Sequence, residues 1–360
     1  MSPHRFAFAV LEAGGSGYAT AAAHTLIEHQ PTLADIYGAK ALASWRSFMM
    51  QAVAELAVAV RFNRPELFND AVSWLRGTFL ESGGKTEDLQ LALQALQATL
   101  QAELPESARE PVMRCMQAAL PALDAPLPQS ISLLDPTDPR DRLALRYLAA
   151  CLEGRFESAA SIILGEARVT LGETASYLHV LMPAQREIGR MWQAGEIGVA
   201  EEHAVSLMTQ RLAVRLSTAD PPTSTGKTVL AAAVAGDTHD IGITAVASCF
   251  RAAGWRTVCL GANVPPDQIA EAAEMFQAHL IALSATLTTH LPALEDSVAA
   301  IRDLHRKIKI LIGGHALVHA ADLWREIGAD GYASSPEDAV EQGALLLGLH
   351  YPHKAIDVPA

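Results

Sequence analysis

Cysteine is scarce in this 360-residue sequence: four residues, at 115, 151, 249 and 259. None forms a Cys-x-x-Cys pair, and a chain of this size has no need of disulfide staples, so a reduced cytosolic protein is expected. Basic residues are also few, 27 against 40 acidic, for a formal charge of −13. No Lys/Arg cluster offsets this, which argues against the basic face that a sequence-independent grip on nucleic acid requires. Long hydrophobic runs are missing. The stretches 52–60 and 229–235 fall short of a bilayer span. The apolar stretch Phe6–Leu11 stops at Glu12, too short for a signal peptide. Aromatic residues make up only 6%, and alanine is abundant, which favours helix. Half the residues are hydrophobic, so the chain can bury cores.

Two proline-rich seams divide the chain, Leu123–Pro139 and the run from Asp220 through Pro221-Pro222 to Lys227. The expected domains are 1–125, 138–218 and 228–348, joined by linkers 126–137 and 219–227 and followed by a tail, 349–360. The first reads as all helix. The second fits four helices at about 140–153, 155–168, 170–194 and 198–217, broken at Gly154, Val169-Thr170 and Gly195–Gly198. Connections this short make antiparallel neighbours, hence a four-helix bundle. In the third, strand-like runs (Thr228–Ala235, Arg256–Leu260, Leu280–Ser284, Ile308–Ile312, Gly331–Ala333) alternate with helical patterns at 241–253, 267–277, 291–306, 318–326 and 336–347. That alternation predicts a flavodoxin-like, doubly wound parallel sheet with its ligand site at the carboxyl ends of the strands.

The sharpest motif follows the first of these strands: Gly236-Asp237-Thr238-His239-Asp240-Ile241-Gly242. A histidine in this loop offers an imidazole nitrogen to a metal. Asp237, two residues earlier, is placed to accept from the other ring nitrogen, fixing the tautomer and raising ligand basicity. Glycines leave room for backbone near a large ligand. A phosphate loop is disfavoured, because neither GxGxxG nor a Lys-Ser/Thr pair is present. His290, His305, His315 and His319 read as surface or loop residues, although His290 and His315 lie at strand ends and could line the pocket.

On these residues the third segment resembles the cobalamin-binding domain family, whose Asp-x-His-x-x-Gly pattern is met by Asp237, His239 and Gly242. A Ser-x-Leu element is met by Ser284-Ala285-Thr286, with Thr286 in place of the usual leucine, and a glycine pair by Gly313-Gly314. The resemblance implies cobalt held from below by His239, with the displaced nucleotide base beside Ser284 and the glycines making room for that tail.

The bundle upstream carries Trp192 and, nine residues on, Glu202-His203. An indole can pack over a nucleoside, and a carboxylate can accept from ribose hydroxyls. The spacing resembles the cap of cobalamin-dependent photoreceptors. That implies adenosylcobalamin under Trp192 and Glu202, with His203 supporting, and a cobalt–carbon bond broken by light so that the cap shifts and assembly changes. Gln193 stands where some members have a histidine that captures cobalt after photolysis. The acidic N-terminal segment replaces the basic helix-turn-helix of the DNA-binding members.

Segment 1–125 resembles globin-like helical sensor domains, and the whole architecture is similar to the photocobilins, which add a biliverdin. Trp45, Trp74, Tyr37, Arg46, Arg61, Arg64, Arg76, His24 and His29 supply the residue types such a chromophore needs. Cys115 reads as a structural thiol rather than a tether. The expectation is therefore a light sensor and not an enzyme: a homo-oligomer with light-dependent assembly and a downstream signalling protein as its other partner. A corrinoid carrier of a methyltransferase system is the first alternative, although those carriers commonly continue with Lys-Asn where Ile243-Thr244 stand. A ligand-free interaction scaffold is the second.

Overall fold

The computed structural model describes residues 2–81, 83–125, 131–216, 224–318 and 320–349. His319, residues 126–130 and 219–223 of the expected linkers, and the tail beyond 349 lie outside them. The chain forms two compact units, residues 1–129 with 193–195, and 130–192 with 196–360.

The first unit is helical: α1 (Pro3–His29), α2 (Pro31–Tyr37), α3 (Ala41–Arg61), α4 (Pro65–Glu81), α5 (Thr86–Glu103) and α6 (Glu106–Ala119). Alanines at 7, 19, 22 and 23 of α1 and at 52, 57 and 59 of α3 are buried, and their small side chains let the two backbones approach. Trp45 and Tyr37 pack edge-on at 5.4 Å, with Phe79 against both rings and Phe48 against Trp45. Tyr37 also donates to the buried Asp88 (2.7 Å). These rings are therefore committed to a core. Arg61 lies over the Phe8 ring, Arg64 pairs with Glu66, and Arg76 donates to the carbonyls of Ala122 and Ala125. Cys115 is buried, and burial pushes its thiol up to about 11, so it is a poor nucleophile.

The second unit begins with a helical layer. Asp138 caps α7 (Pro139–Leu152) through the Arg140 amide (2.7 Å). Helix α8 (Phe156–Ala160) continues through a π-helical stretch, Ser161–Ala167, into α9 (Arg168–Leu171). The break falls at Gly172, not at Val169-Thr170, because Gly172 adopts φ +84°, which glycine alone reaches without cost. Then come α10 (Glu173–Ser176), π-helical Tyr177–Leu181, α11 (Met182–Gln193) and α12 (Val199–Leu216). Tyr147, Leu148, Ile163, Leu181, Ile188, Val205 and Leu212 fill the space between them.

The sheet follows: β1 (Thr228–Val234), α13 (Ile241–Ala252), β2 (Arg256–Val264), α14 (Pro266–Met275), β3 (Leu280–Ser284), α15 (Leu291–Leu304), β4 (Lys309–Gly313), α16 (Leu323–Ile327), β5 (Gly331–Ala333) and α17 (Pro336–Leu346). All strands are parallel in the order β2-β1-β3-β4-β5. The central strands β1 and β3 are buried throughout, as helices on both faces demand. Strand order reverses between β1 and β3, which opens a crevice above their carboxyl ends. Two elements depart from expectation. β2 runs four residues beyond Leu260, through a bulge at Gly261. The helix expected at 318–326 is reduced to a 3-10 turn, His315–Leu317, and the short α16.

Candidate functional site

Strand β1 delivers the loop into the crevice. Gly236 turns the chain at φ +82°, and the next carboxylate, Asp237, is wholly buried. Its Oδ1 accepts from both the amide (3.0 Å) and the ring Nδ1 (2.9 Å) of His239. Nδ1 therefore carries the proton and Nε2 keeps its lone pair for a metal. Asp237 Oδ2 accepts from the Thr286 amide (2.7 Å), and His290 Nδ1 lies 3.5 Å away. Burial by itself would raise the Asp237 pKa. The bonds from His239 and His290 outweigh it and hold the carboxyl well below its ordinary range. In return the bond to Asp237 raises the His239 pKa against desolvation, with Glu202 and Asp240 adding to the raise. The His239 side chain is 53% exposed, so its ring stands at the surface of the crevice on a buried support.

Ser284 ends β3. It is 8% exposed, and its hydroxyl makes no hydrogen bond among the described residues. Thr286 contributes its backbone amide, so the unusual residue type at this position does not disturb the contact that matters here. The glycine pair has a reason internal to the chain. A Cβ on Gly313 would stand 2.7 Å from the Ala333 carbonyl oxygen, and one on Gly314 (φ +106°) 2.2 Å from that of Ala285. Beside Gly242, by contrast, nothing lies within 4 Å of where a Cβ would stand.

The helical layer meets this loop directly. Tyr177 donates to the Ile241 carbonyl (2.8 Å), and Gln210 to Asp240 (2.7 Å). Glu202 accepts from Ser206 and pairs with His203 Nδ1 (2.8 Å), and Gln185 donates to Ser206 (2.6 Å). Trp192 is 43% exposed and His203 74%. Glu202 is the one member of the expected cap trio whose charge reaches His239.

Sequence reasoning under-read His290, which is nearly buried against Asp237 rather than on the surface. It also missed Asn263, Tyr177, Gln185, Ser206 and Gln210. Asn263 carried a usable signal, since asparagine is among the few residues that tolerate a left-handed backbone where a strand bulges. The others are set by packing between distant elements and leave no local pattern.

A corrinoid with a displaced nucleotide tail calls for an imidazole with an open nitrogen, a nearly buried hydroxyl with no partner in the protein, and open space beside the ligand loop. His239, Ser284 and Gly242 supply these, so the residues fit the group.

Comparison with known proteins agrees. A B12 binding domain family matches residues 227–341, and a second one, also described as a B12 binding domain, matches 144–215. A corrinoid protein of Desulfitobacterium hafniense is 31% identical over 173 residues, 45% of this chain and 77% of that protein. Dimethylamine corrinoid protein 3 of Methanosarcina mazei is 37% identical over 32% of this chain and 68% of its own length. Dimethylamine corrinoid protein 3 of Methanosarcina acetivorans is 28% identical over 55% of this chain and 99% of its own.

These relatives overturn the light-sensor expectation. They are corrinoid proteins, two of them named for dimethylamine, and the first alternative describes them better. The cofactor class is a corrinoid, carried on B12 binding domains. No helix among the described residues is long and apolar enough to cross a membrane. With a relative 31% identical spanned over 77% of its length, the chain belongs to the corrinoid protein family.

Proposed function

We propose that this chain is a corrinoid carrier in a methyl-transfer system. Its three parts would be a helical domain (1–125), a cap (138–218) and a corrinoid-binding sheet domain (228–348). The reading is carried by one observation: a half-exposed His239 whose Nδ1 is fixed by a buried Asp237 at the crevice between β1 and β3. His239 Nε2 would hold the metal from below. Ser284 would bind the buried nucleotide base, while Gly242, Gly313 and Gly314 keep the loops low enough for the tail and Thr286 fixes Asp237 through its amide. Trp192, Glu202 and His203 would border the upper face. A corrinoid supplies a metal that accepts a methyl group from one partner and gives it to another. This chain's own work is to hold that group, set the basicity of the axial nitrogen through Asp237, and exclude water with the cap. The partner would be a methyl-transferring protein. An adenosyl group, a bilin and light-dependent self-assembly belong to the other reading and gain no support from the relatives.

The test is a mixing experiment. Protein loaded with reduced cobalamin is combined with dimethylamine and a dimethylamine methyltransferase, and transfer of the methyl group is read from the absorption spectrum. Transfer that requires all three components is expected. An unchanged spectrum, together with a change of oligomeric state on illumination of the loaded protein, would contradict the carrier reading.

A further inference from the structure

We propose that Asn263, at the end of β2, is a positioning residue for the His239 loop; the inference rests on His239 being the axial ligand. Asn263 grips the loop twice. The Gly236 amide donates to its Oδ1 (2.8 Å), and its own amide donates to the Asp237 carbonyl (2.8 Å). The backbone on either side of the 236–237 peptide is thus tied to the neighbouring strand.

The chain goes out of its way to make this grip. The β1–β2 register slips between Ala231 and Ala232 and again between Ala232 and Val234, with Gly261 at φ +79° in the bulge. A bulge of this kind lengthens one strand against its partner and re-aims a side chain. Here it brings β2 level with the end of β1, where Val264 pairs with Val234, and Asn263, one residue earlier, sits at φ +54°, a conformation that few non-glycine residues hold. A left-handed residue persists only where its surroundings over-determine it, and such residues gather at functional sites.

The two flanking strands thereby divide the task. The segment after β3 holds the Asp237 side chain through the Thr286 amide, with His290 packed beside it, and β2 holds its backbone through Asn263. Because Asp237 fixes His239, the grip on Gly236 and Asp237 sets where the free imidazole nitrogen stands. Partners that orient a metal ligand from behind typically change metal affinity by about 10–100-fold when removed.

The test uses the full chain loaded with cob(II)alamin and compares wild type with N263A, N263G, N263D and H239A. Three quantities are read: the cobalamin dissociation constant, the fraction of cobalt carrying a histidine nitrogen by electron paramagnetic resonance, and the Tm of the unloaded protein. N263A and N263G are expected to bind about tenfold more weakly, with a lower histidine-ligated fraction. N263D keeps the acceptor and should stay close to wild type. N263G relieves the positive φ, so its Tm should equal or exceed that of wild type; a purely structural role would then leave ligation untouched. Wild-type affinity and ligation in both N263A and N263G would overturn the proposal. If H239A is spectroscopically identical to wild type, the axial-ligand reading fails as well, and that control tells the two failures apart.

Discussion

The two faces of the candidate site are built differently. Below, His239 stands on a carboxylate with no exposed surface, which is held in turn by two strands and the segments that follow them. Above, His203 lies largely in solvent and Trp192 is 43% exposed, while among the described residues Glu202 is held by the side chains of His203 and Ser206. The lower face is a buried carboxylate tied to backbone amides and to the His239 ring. The upper face is set by more exposed side chains bonded to one another. The proposed carrier role would use this asymmetry, with His239 holding the cofactor on one side and the other side left to partners.

The largest effect should come from His239→Ala. The ring is half-exposed, but it donates to the buried Asp237 carboxylate, so the unloaded protein should lose about 1–3 kcal/mol. Cobalamin should lose all protein nitrogen ligation, which absorption spectra of the loaded variant would reveal. Equal loss of stability and binding would mean that the loop is a structural element. Next comes Asp237→Ala, which strands the Thr286 amide and frees the His239 ring. Cobalamin affinity should fall by about 10–100-fold, and chemical denaturation should show a loss of about 1–3 kcal/mol.

Much of this lower face was legible in the sequence, because Asp237, His239, Gly242, Ser284, Gly313 and Gly314 sit at fixed spacings on strand ends that hydrophobic patterning locates. His290 was legible only as a strand-end residue that could line the pocket, and Asn263 only as a residue that tolerates left-handed backbone; their roles depend on a strand order and a bulge that no local pattern encodes. The strand-helix alternation gave the sheet its class. The break at Gly172 was misplaced by a few residues because the helix runs through a π-helical stretch that disguises its period. The upper face was over-read. Trp192 and Glu202-His203 matched a spacing, and spacing alone did not distinguish a light sensor from a carrier.

Smaller effects are expected above. Glu202→Gln or Ser206→Ala should change cobalamin affinity less than about tenfold, the lower bound set for the other face, as isothermal titration would show. A loss as large as that of Asp237→Ala would erase the proposed asymmetry. The smallest effect is a pH dependence in the unloaded protein. The His239 pKa is raised on folding, so its contribution to stability is fully present below the ordinary value of 6.5 and is lost as pH rises through the raised value. Asp237 is lowered, so its contribution is present above the ordinary carboxylate range and is lost as pH falls through its depressed value. Denaturation midpoints should therefore decline modestly above pH 6.5, and His239→Ala should flatten that decline.

The most direct test of the central claim is an electron paramagnetic resonance spectrum of cob(II)alamin bound to protein labelled with nitrogen-15 histidine. If His239 is the axial ligand, the label changes the nitrogen splitting on cobalt, and the change disappears in His239→Ala. A splitting that ignores the label, or that persists in the variant, would contradict the account.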